Sequence, residues 1–391
     1  MRIFSSDLAG KRLLVFLFLL FLAGMAFAVD ISFTPPVFGG DDPALIEALN
    51  NEATRLFTEY ENKIKSELAF IPSSAPNLTR AFANTSVFSS NGASQRGYQG
   101  YKAFTFTVGF MGALQFPGKF NILDEIKNAI NDADGDIGFI FDRDNLDIDV
   151  GLDVQTFNAQ IGINTSFLLK NLYLGFKFSK FDSNWMNNIP VSGLSFKTVS
   201  FGINTSYQLI TQKRLPTGLL VWRGLNLGIG FIWQNTSLGF KTSLFKDEDF
   251  LNFPIETQIG TINMKFNDTF DMGINTTTYI IPVEAMTSIR LLWLLNVALG
   301  AGVDIAFGSS NINARGSFSV SDVSGLPDGV RIDRKPSLSY GLGGTSAPSI
   351  FNLKIMGAAG LNFGPIIIDI PVTYYFQNNG YSFGVTFGLT F

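Results

Sequence analysis

The densest cluster of residues that could do chemistry is a run of aspartates in one polar stretch. Its members are Asp132, Asp134, Asp136, Asp142, Asp144, Asp147, Asp149 and Asp153. Spaced carboxylates suit calcium, which takes about six to eight oxygen ligands. The start of the run resembles an EF-hand loop, but Ile137 replaces the required turn glycine and Arg143 stands where the bidentate glutamate should be. We therefore interpret the run as a solvated loop, in which Asp132, Asp134 and Asp136 are only weak metal candidates.

The chain has no histidine and no cysteine. Ser–His hydrolases need an imidazole to accept the serine proton. Zinc and iron sites built on His or Cys need those ligands. The glycine-rich stretch that begins at Gly341 lacks the Lys-Ser/Thr pair of a phosphate-binding loop. We therefore predict that the protein is not an enzyme and that it uses no cofactor.

The composition indicates a surface that faces an apolar medium. The chain has 40 phenylalanines, 46% apolar residues and only 15% charged residues. Its net charge of -4 excludes a polybasic nucleic-acid binder, because phosphate binding needs many basic side chains. We expect no nucleic-acid partner.

From Tyr101 to Phe391, apolar and polar residues alternate with a period of two in ten segments. Most of these segments have nine or more residues, such as Phe104–Phe116 and Phe157–Phe167. A membrane strand needs about 9–11 residues, whereas strands of soluble proteins average about 5–6. Lipid on one face and water or polar groups on the other require this alternation. The pattern predicts an all-β membrane protein, an up-and-down antiparallel transmembrane β-barrel of 10–14 strands with an N-terminal helical segment.

The connections between the segments differ greatly in length. Lys170-Asn171 and Gly364-Pro365 are very short links, while 234–265 and 308–350 are long and polar. Further strands, in pairs, could lie within 137–155, 240–265 and 311–340, which is why the predicted number ranges from 10 to 14. Bacterial barrels have short periplasmic turns and long external loops. We therefore expect the short links at the periplasmic end and the long loops outside. The apolar run Ile289–Phe307 is interpreted as a single strand.

The first residues have the features of a signal peptide. Arg2, Lys11 and Arg12 precede the apolar run Leu13–Leu22, and Ala26-Phe27-Ala28 is an A-x-A cleavage site. This order of a basic region, an apolar region and small residues predicts a signal peptide over residues 1–28.

The N-terminal part of the mature chain is predicted to be separate from the barrel. Asp42 and Pro43 are an N-cap and a first helical residue, and the apolar spacing that follows predicts a helix over 43–69. Residues 73–100 are rich in Ser, Asn and Gly and are predicted to be a loop. We assign 29–97 to a helical plug of the lumen or a periplasmic segment, and 98–391 to the barrel.

Polar side chains at the expected inward positions are the candidates for lining the lumen. They are Gln160, Asn164, Asn204, Gln208, Asn226, Asp271, Asn275, Asn296, Asp304, Lys354 and Asp369. Such residues could wet a lumen or hold a plug, which favours a passive pore or transporter for small or hydrophobic solutes. The alternative is a surface-exposed adhesin or structural protein that uses the barrel only as a membrane anchor. The sequence leaves the solute and the oligomeric state open.

The C-terminal segment, in which Tyr381, Phe383, Phe387 and Phe391 share one face, resembles the signal by which bacterial outer-membrane barrels are recognised for insertion. The resemblance implies that these four residues are an assembly signal. It also implies that outer-membrane lipid and the barrel assembly machinery are the partners, and that the outer membrane of a diderm bacterium is the location. A helical N-terminal segment joined to a Phe-rich barrel is also reminiscent of long-chain fatty-acid transporter barrels and of spirochaete surface barrels.

The alternation makes a direct prediction for the segment that contains Ile161 and Asn164. Ile161→Arg places a charge against lipid, which costs about 2–4 kcal/mol near the membrane midplane. Asn164→Arg places the same charge toward water and should cost far less. Denaturant unfolding in liposomes measures both variants, and an equal loss of stability would contradict the assignment of faces.

Overall fold

The structure is a computed structural model of the chain, and it describes residues 30–68, 75–90, 103–116, 151–165, 169–183, 194–214, 219–242, 252–257 and 260–391. The expected signal peptide lies outside the described residues. So do the weak metal candidates Asp132, Asp134 and Asp136. Among the residues described, no group of three or more acidic side chains is arranged to hold a metal ion.

The described residues form sixteen strands and two helices. In chain order they are β1 (Asp30–Thr34), β2 (Val37–Gly40), α1 (Pro43–Leu68), α2 (Ala75–Ser89), β3 (Phe104–Gln115), β4 (Gly151–Asn164), β5 (Leu172–Asp182), β6 (Leu194–Ile210), β7 (Lys213–Arg214), β8 (Leu220–Thr242), β9 (Asn252–Thr257), β10 (Gly260–Leu291), β11 (Leu295–Ser324), β12 (Val330–Arg334), β13 (Ser337–Ser346), β14 (Phe351–Phe363), β15 (Ile366–Tyr375) and β16 (Gly380–Thr390).

Ten of these strands close into an antiparallel barrel. The wall runs β3-β4-β5-β6-β8-β10-β11-β14-β15-β16, and β16 then pairs with β3, so that Thr390 lies opposite Thr105. Each wall strand therefore pairs on both sides with its neighbours in the barrel. The predicted up-and-down barrel is confirmed, with ten strands, the lower limit of the predicted range.

The two ends of the barrel differ. At one end, which we call the short-turn end, tight turns at 292–294 and 364–365 connect the strands. The C-terminus lies at the same end, where the Phe104 N–H donates to the Phe391 carbonyl at 3.1 Å. At the opposite end, the long-loop end, β10 and β11 extend far beyond β14, which leaves β11 at Ile305.

Outward side chains form an apolar belt whose upper limit is visible on β10 and β11. On β11, outward positions are apolar from Leu295 to Phe307, and they are polar from Ser309 onward. On β10, the same change occurs between Tyr279 and Thr277, which pair with Phe307 and Ser309. Aromatic residues typically flank the apolar band of membrane barrels. The belt from Leu291 to Tyr279 is about 40 Å along the strand, or ~28 Å across at a tilt of ~45°.

Above the belt, the chain forms a small folded unit that we call the long-loop domain. It consists of β1, β2, α1, β9, β12 and β13 together with the parts of β10 and β11 before Thr277 and after Ser309. β9 pairs with β10, β13 with β11, β1 with β13 and β2 with β12. Its core is a cluster of buried apolar side chains: Phe38, Leu49, Ala53, Ile255, Ile262 and Met264.

Helix α1 covers one face of this core. The Asp42 carboxylate accepts hydrogen bonds from the backbone N–H groups of Ala44 (3.0 Å) and Leu45 (3.2 Å), which confirms the predicted N-cap. The opposite face is exposed and carries an ion pair between Arg55 and Glu52 at 2.7 Å. Among the described residues, no helix is both long enough and apolar enough to span a membrane.

Two sequence predictions are wrong in detail, those for 289–307 and for 73–100. The run Ile289–Phe307 is not one strand, because β10 ends at Leu291 and β11 begins at Leu295 after a tight turn. Strands do lie within 240–265 and 311–340, as the sequence left open, since β9 is there and β10 and β11 continue into these stretches. The stretch 73–100 contains helix α2. The turn between Leu291 and Leu295 could not be recognised in the sequence, because the two-residue alternation continues across it.

Candidate functional site: the plugged lumen

Helix α2 lies inside the barrel. It contacts β3, β4, β8, β10, β11 and β16, which are on opposite sides of the wall. Nine of its residues have an exposed fraction of 0%: Thr79, Ala81, Ala83, Asn84, Thr85, Ser86, Val87, Phe88 and Ser89. Arg80 is exposed, but every residue from Ala81 to Ser89 is buried, and the contacting strands lie on opposite sides of a closed barrel, so the helix occupies the lumen. It lies at the level where the wall passes into the long-loop domain, because Thr79 donates to Ser346 of β13 at 3.2 Å.

The sequence of α2 suits a narrow lumen. Ala, Ser, Thr and Asn make up most of the helix, and Pro76 lies in its first turn, where its missing N–H costs nothing. The wall makes room for it with glycines. A Cβ at Gly151 would lie 2.4 Å from the Ala81 carbonyl oxygen, and one at Gly380 would lie 2.2 Å from the Phe88 ring. The Ala81 carbonyl and the Phe88 ring therefore approach the wall more closely than a side chain at Gly151 or Gly380 would allow.

A buried polar network fixes the C-terminal end of α2 to β4. The Ser89 hydroxyl donates to Asp153 Oδ2 at 2.6 Å, and it accepts from Gln155 (3.2 Å) and from Gln234 of β8 (2.9 Å). Thr198 of β6 donates to the other carboxylate oxygen of Asp153 at 3.1 Å. Buried polar groups are costly when unpaired and rigid when satisfied, so this network fixes the position of the helix.

A second contact chain connects α2 to a group of buried charges. The Phe88 ring stacks on Tyr375 with 4.0 Å between the ring centroids. The Tyr375 hydroxyl donates to Asp304 at 3.2 Å, and Lys354 donates to the other oxygen of Asp304 at 2.7 Å. Lys354 also donates to Glu284. The ion pairs join β10, β11 and β14, and the Tyr375 hydrogen bond adds β15 to this group in the lumen.

The energetics of this charged group are set by burial. The side chains of Lys354 and Asp304 are both 0% exposed. Removing a single partner from such a pair leaves an uncompensated buried charge, at a cost of about 3–5 kcal/mol. A barrel in which these strands were arranged differently would leave at least one of the charges buried and unpaired. The ion pairs therefore favour the observed arrangement of strands, whatever their net contribution to stability.

A small cavity lies beside the charges, toward β5, β6 and β8. Lys177, Asn204, Asn226 and Glu284 are among its lining residues, and its volume is about 30 Å³. A single water needs about 10–15 Å³ of such a cavity. The cavity therefore has room for water.

Most predicted lumen residues point inward. Buried inward positions are Gln160, Asn226, Asn296, Asp304, Lys354 and Asp369, and half-buried inward positions are Asn164, Asn204 and Gln208. The structure brings together Asp304 and Lys354 in one contact group, and it places Asn204 and Asn226 at one cavity. Gln208 lies opposite Asn226 in the β6–β8 pair, and the others are spread over the wall.

The prediction is wrong for Asp271 and Asn275, which point outward and are exposed. Both lie above the apolar belt that ends at Tyr279. There the outer face meets water, and the inner face of β10 carries Met272 and Ile274. The polarity of the two faces is therefore reversed beyond the membrane. Asp271 pairs with Lys241 of β8 at 3.1 Å on this exposed face.

Sequence reasoning missed Glu284, Tyr375, Asp153, Ser89 and Lys177 as parts of the lumen contacts. Glu284 had a usable signal, because a carboxylate between Val283 and Ala285 in a membrane strand must face inward. Ser89 had none, since its partners lie on β4 and β8, far along the chain.

The residues of the predicted assembly signal lie on the last strand and at its end. Phe383, Phe387 and Phe391 point outward with exposed fractions of 44%, 53% and 57%, and Tyr381 is half-buried. Their row is continuous with the apolar belt.

Residues 28–391 match the family described as Lsa36-like. The chain belongs to this Lsa36-like family. Its fold is that of a bacterial outer-membrane β-barrel, and the family is one of spirochaete surface barrels. Among curated proteins, none matches the sequence.

Solved barrel structures similar to this Lsa36-like chain share little sequence with it. The translocator domain of the autotransporter NalP from Neisseria meningitidis is 9% identical, with 74% of this chain and 89% of that chain covered and a TM-score of 0.27. The CymD monoaromatic hydrocarbon channel is 8% identical, covering 79% and 98%, with a TM-score of 0.24. The Ralstonia pickettii toluene transporter TbuX is 10% identical, covering 77% and 92%, with a TM-score of 0.23.

The position of α2 can be tested by a disulfide, since the chain contains no cysteine of its own. The Ser86 and Thr278 hydroxyl oxygens are 3.0 Å apart and the two residues are 192 positions apart in sequence. The double variant Ser86→Cys/Thr278→Cys should form a disulfide on oxidation, and the closed loop should change migration on a non-reducing denaturing gel. Tyr279 is the matched control, because it is adjacent in sequence but points outward. Equal cross-linking with Tyr279→Cys would contradict the position of α2.

Proposed function

We propose that this protein is an outer-membrane anchor that displays the long-loop domain at the cell surface. The observation that carries the proposal is that α2, which is buried from Ala81 to Ser89, fills the lumen at the long-loop end. Eight-stranded barrels are filled by side chains alone or hold one small ligand. Ten strands leave room for one slender helix, which is ~10–12 Å wide with ordinary side chains and narrower with small ones.

The surface of the long-loop domain suits recognition. Its outer faces are polar and charged, with Glu52, Arg55 and Glu59 on α1 and Arg331 beside Asp333 on β12. Loops and extensions on a rigid scaffold commonly carry binding functions. The proposed function is therefore that of an adhesin or structural surface protein, for which the barrel is only the anchor.

The proposed location and partners agree with this function. We propose the outer membrane of a diderm bacterium as the location, with outer-membrane lipid around the belt. The barrel assembly machinery is the proposed partner in insertion, acting on the C-terminal residues that end at Phe391. No catalytic activity, cofactor or nucleic-acid partner is part of the proposal.

A passive pore is the second candidate, and one specific observation favours it. On the short-turn side of α2, the inward polar atoms of Thr107, Gln160 and Asn204 make no hydrogen bond to other protein atoms in the described part of the chain. Such atoms need water. A lumen that is wet below α2 could pass small solutes if the helix moved aside.

Single-channel recording in planar bilayers separates the two candidates. We expect the mature chain to be silent, because α2 blocks the lumen. A truncated chain that starts at Gln99 lacks α2 and should still form a heat-modifiable barrel, since the wall strands begin at Phe104. That chain should conduct. Steady conductance by the mature chain would overturn the anchor and favour the pore.

A further inference from the structure

Basic residues collect at the short-turn end of the barrel. Four segments join the wall strands there: 165–171, 211–219, 292–294 and 364–365. They contain three basic residues and no acidic one: Lys170, Lys213 and Arg214. The wall adds Arg223 of β8 and Arg290 of β10 at the same end. The charge on the β8–β10 side of this end is therefore positive.

Two of the arginines lie in one inward row of the wall. Arg214 of β7 pairs with Val221 of β8, and Val221 pairs with Arg290 of β10. Paired residues on neighbouring strands point to the same face of a sheet. Val221 is 2% exposed and faces the lumen, so Arg214 and Arg290 flank it on that face. Their Cα atoms are two strand spacings apart, ~10 Å, which lets both long side chains reach one ion between them.

A β-bulge places the third arginine beside this row. Arg223 and Gly224 together lie opposite one residue of β10, and Gly224 has a φ of 87°. Both neighbouring strands hold the bulge: Gln208 donates to the Arg223 carbonyl at 3.0 Å, and Thr287 donates to the Gly224 carbonyl at 2.7 Å. The Arg223 residue is 6% exposed, which places its side chain on the lumen side. Bulges re-aim side chains and are common next to functional sites.

Arg290 is a cation without a counter-charge in the part of the chain that the structure describes. Its Nε is buried and accepts no partner from the protein there. Neither Arg290 nor Arg214 forms an ion pair with a described residue. Along the same inward row, the first carboxylate is that of Asp369, three strands away on β15. Since a buried charged group is costly when it has no partner, an anion from outside the protein would be stabilised here.

We propose that the lumen opening at the short-turn end, which we call the short-turn mouth, binds a phosphate group. Arg214 and Arg290 are its ligands, and Arg223 is a neighbouring positive charge. The planar guanidinium fork donates paired hydrogen bonds to the oxygens of phosphate. A phosphate monoester carries about two negative charges at pH 7, which matches two arginines better than a single carboxylate does. Helix α2 lies in the other half of the lumen and leaves this mouth to its ligand.

The phosphate group can come from a soluble ion that enters the mouth or from a lipid headgroup at its rim. Isothermal titration calorimetry of the full mature chain, in zwitterionic detergent and phosphate-free buffer, tests both sources. Inorganic phosphate is the soluble probe. Short-chain phosphatidic acid, which carries a phosphate monoester, is the lipid probe, and short-chain phosphatidylcholine is its control.

Three variants identify the site. Arg290→Gln and Arg214→Gln should each weaken binding of the phosphate probe about tenfold or more, because each removes a charged hydrogen-bond donor. Lys213→Gln is the matched control: it is adjacent to Arg214 and equally exposed, but it pairs with Trp222 on the outward face and should leave binding unchanged. A heat-modifiability gel verifies that each variant folds. If Arg290→Gln does not fold, Arg214→Gln at its exposed position carries the test.

Saturable binding of inorganic phosphate that depends on the two arginines supports the site with a soluble ligand. Binding of phosphatidic acid alone, with the same dependence, supports it with a lipid headgroup. No saturable binding of either probe would overturn the proposal, and so would equal binding by the wild type and both arginine variants, or an equal loss in Lys213→Gln. Binding in detergent is independent of which end of the barrel faces the cell surface, so the phosphate site and the surface anchor can fail separately.

Discussion

A backbone in lipid must satisfy its hydrogen bonds within the protein, and the pairing of β16 with β3 is how this chain meets that constraint. Without this last pairing, β3 and β16 would each present an unpaired edge to hydrocarbon. Closing the wall creates a lumen, which must then hold water, side chains or another segment of the chain. In the half near the long loops, the lumen holds α2.

The buried charges in the lumen also favour one arrangement of the wall strands. Lys354 has two carboxylate partners, Asp304 and Glu284, on neighbouring wall strands, and none of the three could face lipid without a large penalty. Through Tyr375 and Phe88, the same group contacts α2. The helix is thus held by an aromatic stack on one side and by the Ser89–Asp153 hydrogen bond on the other. Two anchors, on β15 and β4, hold α2 in place inside the wall.

The sequence predicts the features that lipid imposes. Lipid requires every second residue in the belt to be apolar, so the outward positions of Ile161, Phe383 and Phe387 follow from the alternation alone, and so does the barrel. The prediction failed at Asp271 and Asn275 because the same strand leaves the membrane at Tyr279. Beyond that point water lies outside and the protein interior lies inside, so the rule that assigns polar residues to the lumen no longer holds.

The candidate site was less predictable, for two physical reasons. A helix surrounded by a wall on all sides needs no apolar stripe, so α2 has the Ser, Asn and Ala content that is typical of a loop. Contacts such as that of Glu284 with Lys354, 70 positions apart, depend on barrel register, which a single strand does not reveal. The inward polar residues were recognisable one by one, but their grouping was not.

Hydrogen–deuterium exchange of the mature protein in detergent micelles tests the central claim, that α2 is a packed element inside the lumen. We predict that the amides of Ala75–Ser89 are protected to a degree similar to those of β14, because α2 is enclosed by the wall to which β14 belongs. The N-terminal turn of α1, which is exposed, serves as the internal reference for fast exchange. Exchange of Ala75–Ser89 at the rate of an unfolded chain, with β14 still protected, would contradict the account.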